Sequence, residues 1–368
     1  MFAQKYIPKV LPLILLLLFV AGMPPPDVAV EPAPQYDALF QRKDGWTGAD
    51  GAYSVPLSDE VTLWLFGDTW IGPIRDGRHV NARIVNNSIA LLAGQEPVRA
   101  RISFFEGRTP DGRLAAFFEP ADGRGWFWPY HGILTPEGLY IFLMQIDRAG
   151  VSDFRVIGSW LGHVPNPRDP PTQWRIRQTK IPWAQFTCSG DLFFGSALLK
   201  DGNFIYIYGS DEEIINGFHR KYMILARVTE SRLGEFDQWR FYTNGQWRPD
   251  FTAASRLGGG LANEYSVSLQ PALGKYIAVY TEDGISGKIV ARLAPQPWGP
   301  WGAPLTLHQC PEADWDPDYF CYAAKAHPAM AIRPNELIVS YVVNSMDFER
   351  MAADARIYRP RFIRVKFR

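Results

Sequence analysis

GWTGADGAYSVPLSDEVTLWLFGDTWIG, residues 45–72, is the stretch whose reading decides the fold. Tyr53, Val55 and Leu57 alternate with other residues, Ser58-Asp59-Glu60 supplies a polar turn, and residues 61–66 form a second, apolar run. Strand-like runs on both sides of a polar turn predict a β-hairpin. Asp50 enters the first strand and Asp68 leaves the second. Antiparallel pairing sets the start of one strand beside the end of the next, so both carboxylates are expected at the same end of the hairpin.

The pattern returns four times. WPYHGILTPEGLYIFLMQID (128–147), FGSALLKDGNFIYIYGSD (194–211), NEYSVSLQPALGKYIAVYTED (263–283) and HPAMAIRPNELIVSYVVNS (327–345) each read as strand, turn, strand. A third strand-like run trails each hairpin: SIALLAG from Ser88, VIGSWLGHV from Val156, MILARV from Met223, KIVARLA from Lys288 and FIRVKF from Phe362. QWRIRQ from Gln173 and QWRFY from Gln238 announce a fourth, and Pro300-Trp301 stands at the matching place in the fourth copy. A spacing of roughly sixty to eighty residues, with almost no helical periodicity, predicts an all-β chain folded as a five-bladed β-propeller of four-stranded antiparallel blades. A pair of β-sandwiches is the alternative fold, and it would not require so regular a period. Closure is expected from residues 36–41 pairing beside the terminal strand 362–367. The Gly-, Pro- and charge-rich segment 99–125 reads as a long loop, a lid or subsite wall over one face.

Of the 368 residues, 47% are hydrophobic and 14% aromatic, enough for a substantial core. Lys plus Arg and Asp plus Glu number 38 each, so no net field favours nucleic acid or an anionic membrane surface. A neutral polymer or small molecule is the better partner class. Lys5 and Lys9 ahead of the apolar run 10–23 give residues 1–23 the pattern of a signal peptide or N-terminal anchor. Export is the expectation, to the periplasm, the exterior or the envelope, with membrane contact only through that segment if it stays uncleaved. A Pro-rich linker, 24–35, follows, and residues 36–368 are left for the propeller. Three cysteines do not make a disulfide scaffold; Cys310 and Cys321 can pair in an oxidising compartment, leaving Cys188 as a buried thiol. The chain has no G-x-S-x-G elbow, Walker A loop, H-E-x-x-H or C-x-x-C.

In a propeller the first strand of each blade lines the central channel, so the starts of first strands and the ends of second strands gather at one mouth. One ladder then holds Asp50, His131, Glu264 and His327, and another Asp68, Asp147, Asp211, Glu282 and Asn344. Strands about 4.8 Å apart can hold two carboxyl groups at about 5 to 10 Å, the separation that cleavage of a glycosidic bond requires. Asp50 and Asp68 are therefore the candidate catalytic pair, one kept protonated by the charge of the other. Glu264, His131, His327 and the rings of Trp46, Trp70 and Trp128 are candidate substrate-binding groups, the rings because they stack on sugar faces. The plainer reading makes Asp50-Gly51 a turn, Gly67-Asp68-Thr69 an Asx turn, and the two histidines satisfied structural groups. Such chemistry requires no cofactor, and a structural cation in the central channel is compatible with it.

TGADGAYSVPL, LWLFGDTWIG, FGSALLKDG, NEYSVSL, KAHPAM and YRPRFIRV, in this order, resemble a bacterial family of five-bladed β-propellers, long labelled a domain of unknown function, that includes endo-D-arabinanases. The resemblance spans most of the chain beyond residue 40. It implies a glycoside hydrolase acting on D-arabinofuranosyl polymers, with that family's two essential aspartates falling on Asp50 and Asp68. The expected function is an exported glycoside hydrolase that cleaves a polysaccharide. A non-catalytic carbohydrate-binding propeller, or a partner-binding propeller of the envelope, is the alternative.

Overall fold

The computed structural model describes residues 26–150 and 154–368; the expected signal segment 1–23 lies outside them. Among the described residues the fold is all-β, with two short α-helices, Pro34–Phe40 and Phe348–Ala353. Five antiparallel sheets have four or more strands. From the inside outward, the first is built from Tyr53–Pro56, Val61–Phe66, Ser88–Ala93 and Arg101–Phe105. The second consists of Trp126–Thr135, Gly138–Arg148, Phe154–Val164 and Arg177–Lys180. Gly190–Asp201, Phe204–Ile215, Phe218–Thr229 and Arg240–Thr243 make the body of the third, which carries one extra strand at each edge. The fourth holds Tyr265–Gln270, Lys275–Thr281, Lys288–Ala294 and Leu305–Gln309. The fifth takes Tyr319–Ala326, Glu336–Ser345 and Pro360–Phe367, then adds Val28–Pro32 from the other end of the chain.

The innermost strands touch one another in order, from the first sheet to the fifth. Contact returns to the first sheet through Ser54, whose Oγ lies 2.7 Å from His327 Nδ1, and through Tyr322, whose phenol reaches Asp50. Second strands lie between neighbours within their own sheet and are covered on both faces, so they read as nearly unbroken apolar runs. Residues 138–146 and 336–343 are buried without interruption, which explains why these runs stand out in the sequence.

Ring closure differs from the sequence expectation. Val28–Pro32, within the segment read as a linker, pairs antiparallel with the terminal strand, from Val28 opposite Phe367 to Pro32 opposite Ile363. Residues 36–41 do not form the closing strand. Pro34 instead opens a helix, a position where its missing N–H costs nothing, and the helix packs on the same terminal strand. Phe40 stacks on Phe362 with ring centres 5.4 Å apart, Tyr36 lies 5.8 Å from the same ring, and Asp37 Oδ1 accepts the Phe362 N–H at 2.7 Å.

Two further differences concern boundaries, and a third concerns a thiol. Part of the expected loop 99–125 is strand: Arg101–Phe105 forms the outer edge of the first sheet. Asn87 anchors the remainder, donating to the carbonyls of Phe118 and Phe127 and accepting the Phe118 N–H. The fifth hairpin begins at Tyr319 rather than His327, so His327 follows its first strand instead of opening it. Cys188, expected to be buried, is exposed, and Cys310 and Cys321 are both buried.

The closing strand covers the edge of the fifth sheet and packs Val28 and Val30 against its core. Removing residues 1–32 is expected to lower the melting temperature by about 5–10 °C and to promote association through the bared edge. Calorimetry and light scattering on the shortened chain check this; an unchanged melting temperature would show that the strand adds no stability.

Candidate active site

The inner strands are interrupted, and the interruptions build the site. In the first sheet the chain passes from Trp46–Ala49 to Tyr53–Pro56 through Gly51 and Ala52, both left-handed, with φ of +75° and +54°. The second, third and fifth inner strands carry register shifts between Pro129 and Gly132, Phe194 and Ala197, and Tyr322 and Lys325. The fourth starts at Tyr265. A bulge bends a strand and re-aims its side chains, and such irregularities gather at functional sites. Asp50, Tyr130, Glu264 and Tyr322, the residues at these breaks in four sheets, all line one cavity of about 660 Å³, together with Asp68 and Trp128.

Asp50 sits on the cavity wall, partly reached by solvent and otherwise packed by protein. Tyr322 donates its phenolic O–H to Asp50 Oδ2 at 2.7 Å, and the nearby Tyr358 phenol also favours the carboxylate. A Cβ on Gly67 would stand 2.3 Å from Asp50 Oδ1, so only glycine leaves room for the carboxyl group. Burial, then the negative charges of Asp68 and Glu264, push the Asp50 carboxyl up to about 8, against the pull of the two phenols. Asp68 is also raised by burial, but its Oδ1 accepts two N–H groups that oppose the shift, Trp128 Nε1 at 3.0 Å and Asn86 Nδ2 at 3.2 Å. Amide and indole N–H groups favour the ionised acceptor.

At the cavity wall a buried lysine pairs with the half-buried Glu264. Lys325, 1% exposed at its side chain, donates from Nζ to Glu264 Oε2 at 2.6 Å and to the Ala323 carbonyl at 2.9 Å. Its ammonium also stands 4.3 Å from the centre of the Tyr53 ring, within cation–π range. Burial pulls the Lys325 ammonium below its ordinary value, and Glu264 opposes that.

The structure thus brings together four of the eight residues singled out from the sequence: Asp50, Asp68, Glu264 and Trp128. The other four do not line this cavity. His131 is held within the ring, its Nδ1 accepting the Leu198 N–H at 2.9 Å, and it borders a different cavity. His327 is buried between Ser54 and Ser340, each at 2.7 Å from a ring nitrogen. Burial holds both imidazoles below their ordinary values, which favours their neutral forms. Trp46 stacks on Phe104 in the core at 4.4 Å, and Trp70 stacks on His79 at 4.6 Å behind the cavity wall. Tyr322, Tyr358, Asn86 and Lys325 do not emerge from the hairpin reading, because they lie outside the segments expected to face the mouth. Lys325 alone had a visible signal: a charge inside the otherwise apolar strand YFCYAAKA, where a lysine stays only if it is paired.

A ring of antiparallel sheets with an acidic cavity at the breaks of its inner strands defines the class. The family described as Domain of unknown function (DUF5005) matches residues 33–367, and the chain belongs to it. No curated protein matches. Among solved structures it is similar to a provisionally named hydrolase from Bacteroides ovatus, with 19% identity, 92% of this chain and 90% of that chain covered, and a TM-score of 0.73. It is also similar to a family 117 glycoside hydrolase from Zobellia galactanivorans, with 11% identity, coverage of 92% and 90%, and a TM-score of 0.49. The GH43_1 enzyme from Xanthomonas citri complexed with xylotriose gives 13% identity, coverage of 90% and 92%, and a TM-score of 0.46. The Bacteroides likeness establishes a shared fold.

A carboxyl group whose folded value lies above its unfolded one takes up a proton on folding, so its contribution to stability falls as pH rises from the ordinary carboxylate range towards 8. Asp50→Asn removes that loss. The variant is expected to melt above the native chain, with a gap that widens between pH 5 and pH 8.5; paired calorimetric scans at the two pH values test this, and a gap independent of pH overturns the assignment.

Proposed function

We propose that the protein is a glycoside hydrolase, a five-bladed β-propeller in which Asp50 and Asp68 cleave a glycosidic bond at the mouth of the central channel. The observation that carries this reading is the pair of carboxyl groups in one cavity with opposed surroundings. Asp50 is pressed towards its protonated form by burial and by neighbouring charge, whereas Asp68 accepts two N–H donors. That is the division between an acid and a base or nucleophile that glycoside hydrolysis needs.

Asp50 gives its proton to the leaving-group oxygen as the C–O bond breaks. The Tyr322 phenol then hydrogen-bonds the carboxylate left behind and that of Tyr358 also favours it, which limits the cost of losing the proton in a buried place. Asp68 serves the opposite side of the sugar, either activating water or attacking the anomeric carbon. Glu264, fixed by Lys325, adds charge that keeps the Asp50 proton in place and offers an acceptor to sugar hydroxyls. Among the described residues lining the cavity there is no Lys or Arg, so its three carboxyl groups favour a neutral glycan over a uronate or a sulfated one.

D-Arabinan-like furanosidic linkages are the substrate favoured by the motif resemblance, and the signal-like N-terminal pattern favours an exported enzyme. The Bacteroides protein of the same fold is itself provisionally named a hydrolase.

Sugar release from arabinan, arabinogalactan, other neutral polysaccharides and simple alkyl glycosides tests the reading. Asp50→Asn and Asp68→Asn are each expected to lower kcat by about 10³-fold or more while leaving the fold intact. Native activity is expected to fall above about pH 8, where Asp50 loses its proton, and on the acid side, where Asp68 gains one. Failure of the native protein to release sugar from any of the panel, or variants as active as the native chain, would sink the proposal.

A further inference from the structure

The rim of the acidic cavity is apolar in an unusual way. Eleven large hydrophobic side chains are exposed among the described residues, and four of them, Phe154, Ile285, Met346 and Phe348, line this cavity. Their exposures run from 53% to 66%. They come from the second, fourth and fifth sheets, so they meet only in the folded ring: Phe154 opens a third strand, Ile285 lies between Lys275–Thr281 and Lys288–Ala294, and Met346 and Phe348 follow Glu336–Ser345. Leaving such a patch in water forgoes burial, and contiguous exposed apolar surface marks a binding site.

The rim is continuous with the catalytic end. Phe154 packs edge-on against Trp128, with ring centres 4.8 Å apart and planes at 80°, and Trp128 is the indole that holds Asp68. Phe348 packs against Trp70 at 5.7 Å, and the Met346 N–H is fixed on the Asp318 carbonyl at 2.9 Å. Whatever covers the rim therefore lies next to the bond being broken. Sugar platforms present flat rings beside hydrogen-bonding groups. Here half of the rim is aliphatic, Ile285 and Met346, and none of the four side chains carries a hydrogen-bonding group. A flexible thioether and a branched alkyl chain suit hydrocarbon.

We propose that the substrate is a neutral glycoside whose leaving group carries a hydrocarbon chain, which the rim covers while the acids hold the sugar. This rests on the hydrolase reading and names its substrate class. The reaction balances without any other reactant: the glycosidic C–O bond breaks, the leaving oxygen takes the Asp50 proton and departs as an alcohol, and water supplies the hydroxyl of the sugar and returns the proton.

The test compares methyl, butyl and octyl glycosides of D-arabinofuranose and D-glucopyranose, both anomers, below the micellar concentration. For the sugar cleaved fastest, kcat/KM is expected to rise with chain length, octyl over methyl by about 30-fold, as partial burial of the added methylenes dictates. The octyl-to-methyl ratio of the Met346→Ser, Phe348→Ser double variant is expected to fall by about fivefold or more. Equal rates along the series, with oligosaccharides of the same sugar cleaved faster as they lengthen, would overturn the proposal by assigning the rim to further sugar units. If no glycoside is cleaved, the hydrolase reading fails, and calorimetric titration of Asp50→Asn with the same series decides the rim separately: affinity that grows with chain length supports it, and equal affinity overturns it.

Discussion

A single ion pair with a buried lysine ties the ring to its chemistry. Lys325 belongs to the fifth sheet, Glu264 to the approach to the fourth, and the Tyr53 ring under the ammonium to the first. An ammonium taken out of water is tolerable only when it is met by well-placed partners. Here the ammonium is met by a carboxylate, a backbone carbonyl and an aromatic face. The carbonyl belongs to Ala323, which takes a left-handed φ of +58° in the bulge of the same strand. That bulge lets Tyr322 reach Asp50 while Lys325, three residues on, reaches Glu264. One local distortion thereby serves both acids.

The cavity concentrates like charge, and the fold carries the strain. Asp50 is crowded by burial and by two other carboxyl groups, and the left-handed Ala52 and Ala323 sit beside it and beside its tyrosine partner. Conformations of this kind persist only where surrounding structure over-determines them. The surroundings are dense: Ala52 and Ala323 are both buried, and Gly67 gives up a side chain to admit the carboxyl group. Stability surrendered at Asp50 is the counterpart of a proton held ready at neutral pH.

Much of the fold was legible because second and third strands sit between partners and must be apolar whichever way they face. Runs such as LYIFLMQI and MILARV therefore mark the repeat directly. Outer strands were less legible, since they are half exposed and short; Gln173 and Gln238 end single turns just ahead of the strands they were read to open. Asp50 and Asp68 could be placed together because antiparallel geometry within one hairpin is local. His131 and His327 could not be placed, because a bulge moves the register of one and the other follows its strand. Trp46 and Trp70 were read as sugar platforms, yet rings on strands buried against other rings are packing groups first. Tyr322 lies 272 positions from Asp50, beyond any local pattern.

The pairing of Val28–Pro32 with Pro360–Phe367 also bears on how the molecule acquires its shape. The partners are separated by nearly the whole length of the chain, so the fifth sheet is the first begun and the last finished. Every other sheet assembles from neighbouring segments, whereas this one must wait for a loop containing all of them to close. Until that happens, the terminal strand has one free side and the acidic cavity lacks its settled fifth wall. Closure of the fifth sheet and settling of the cavity wall it supplies are thus a single event.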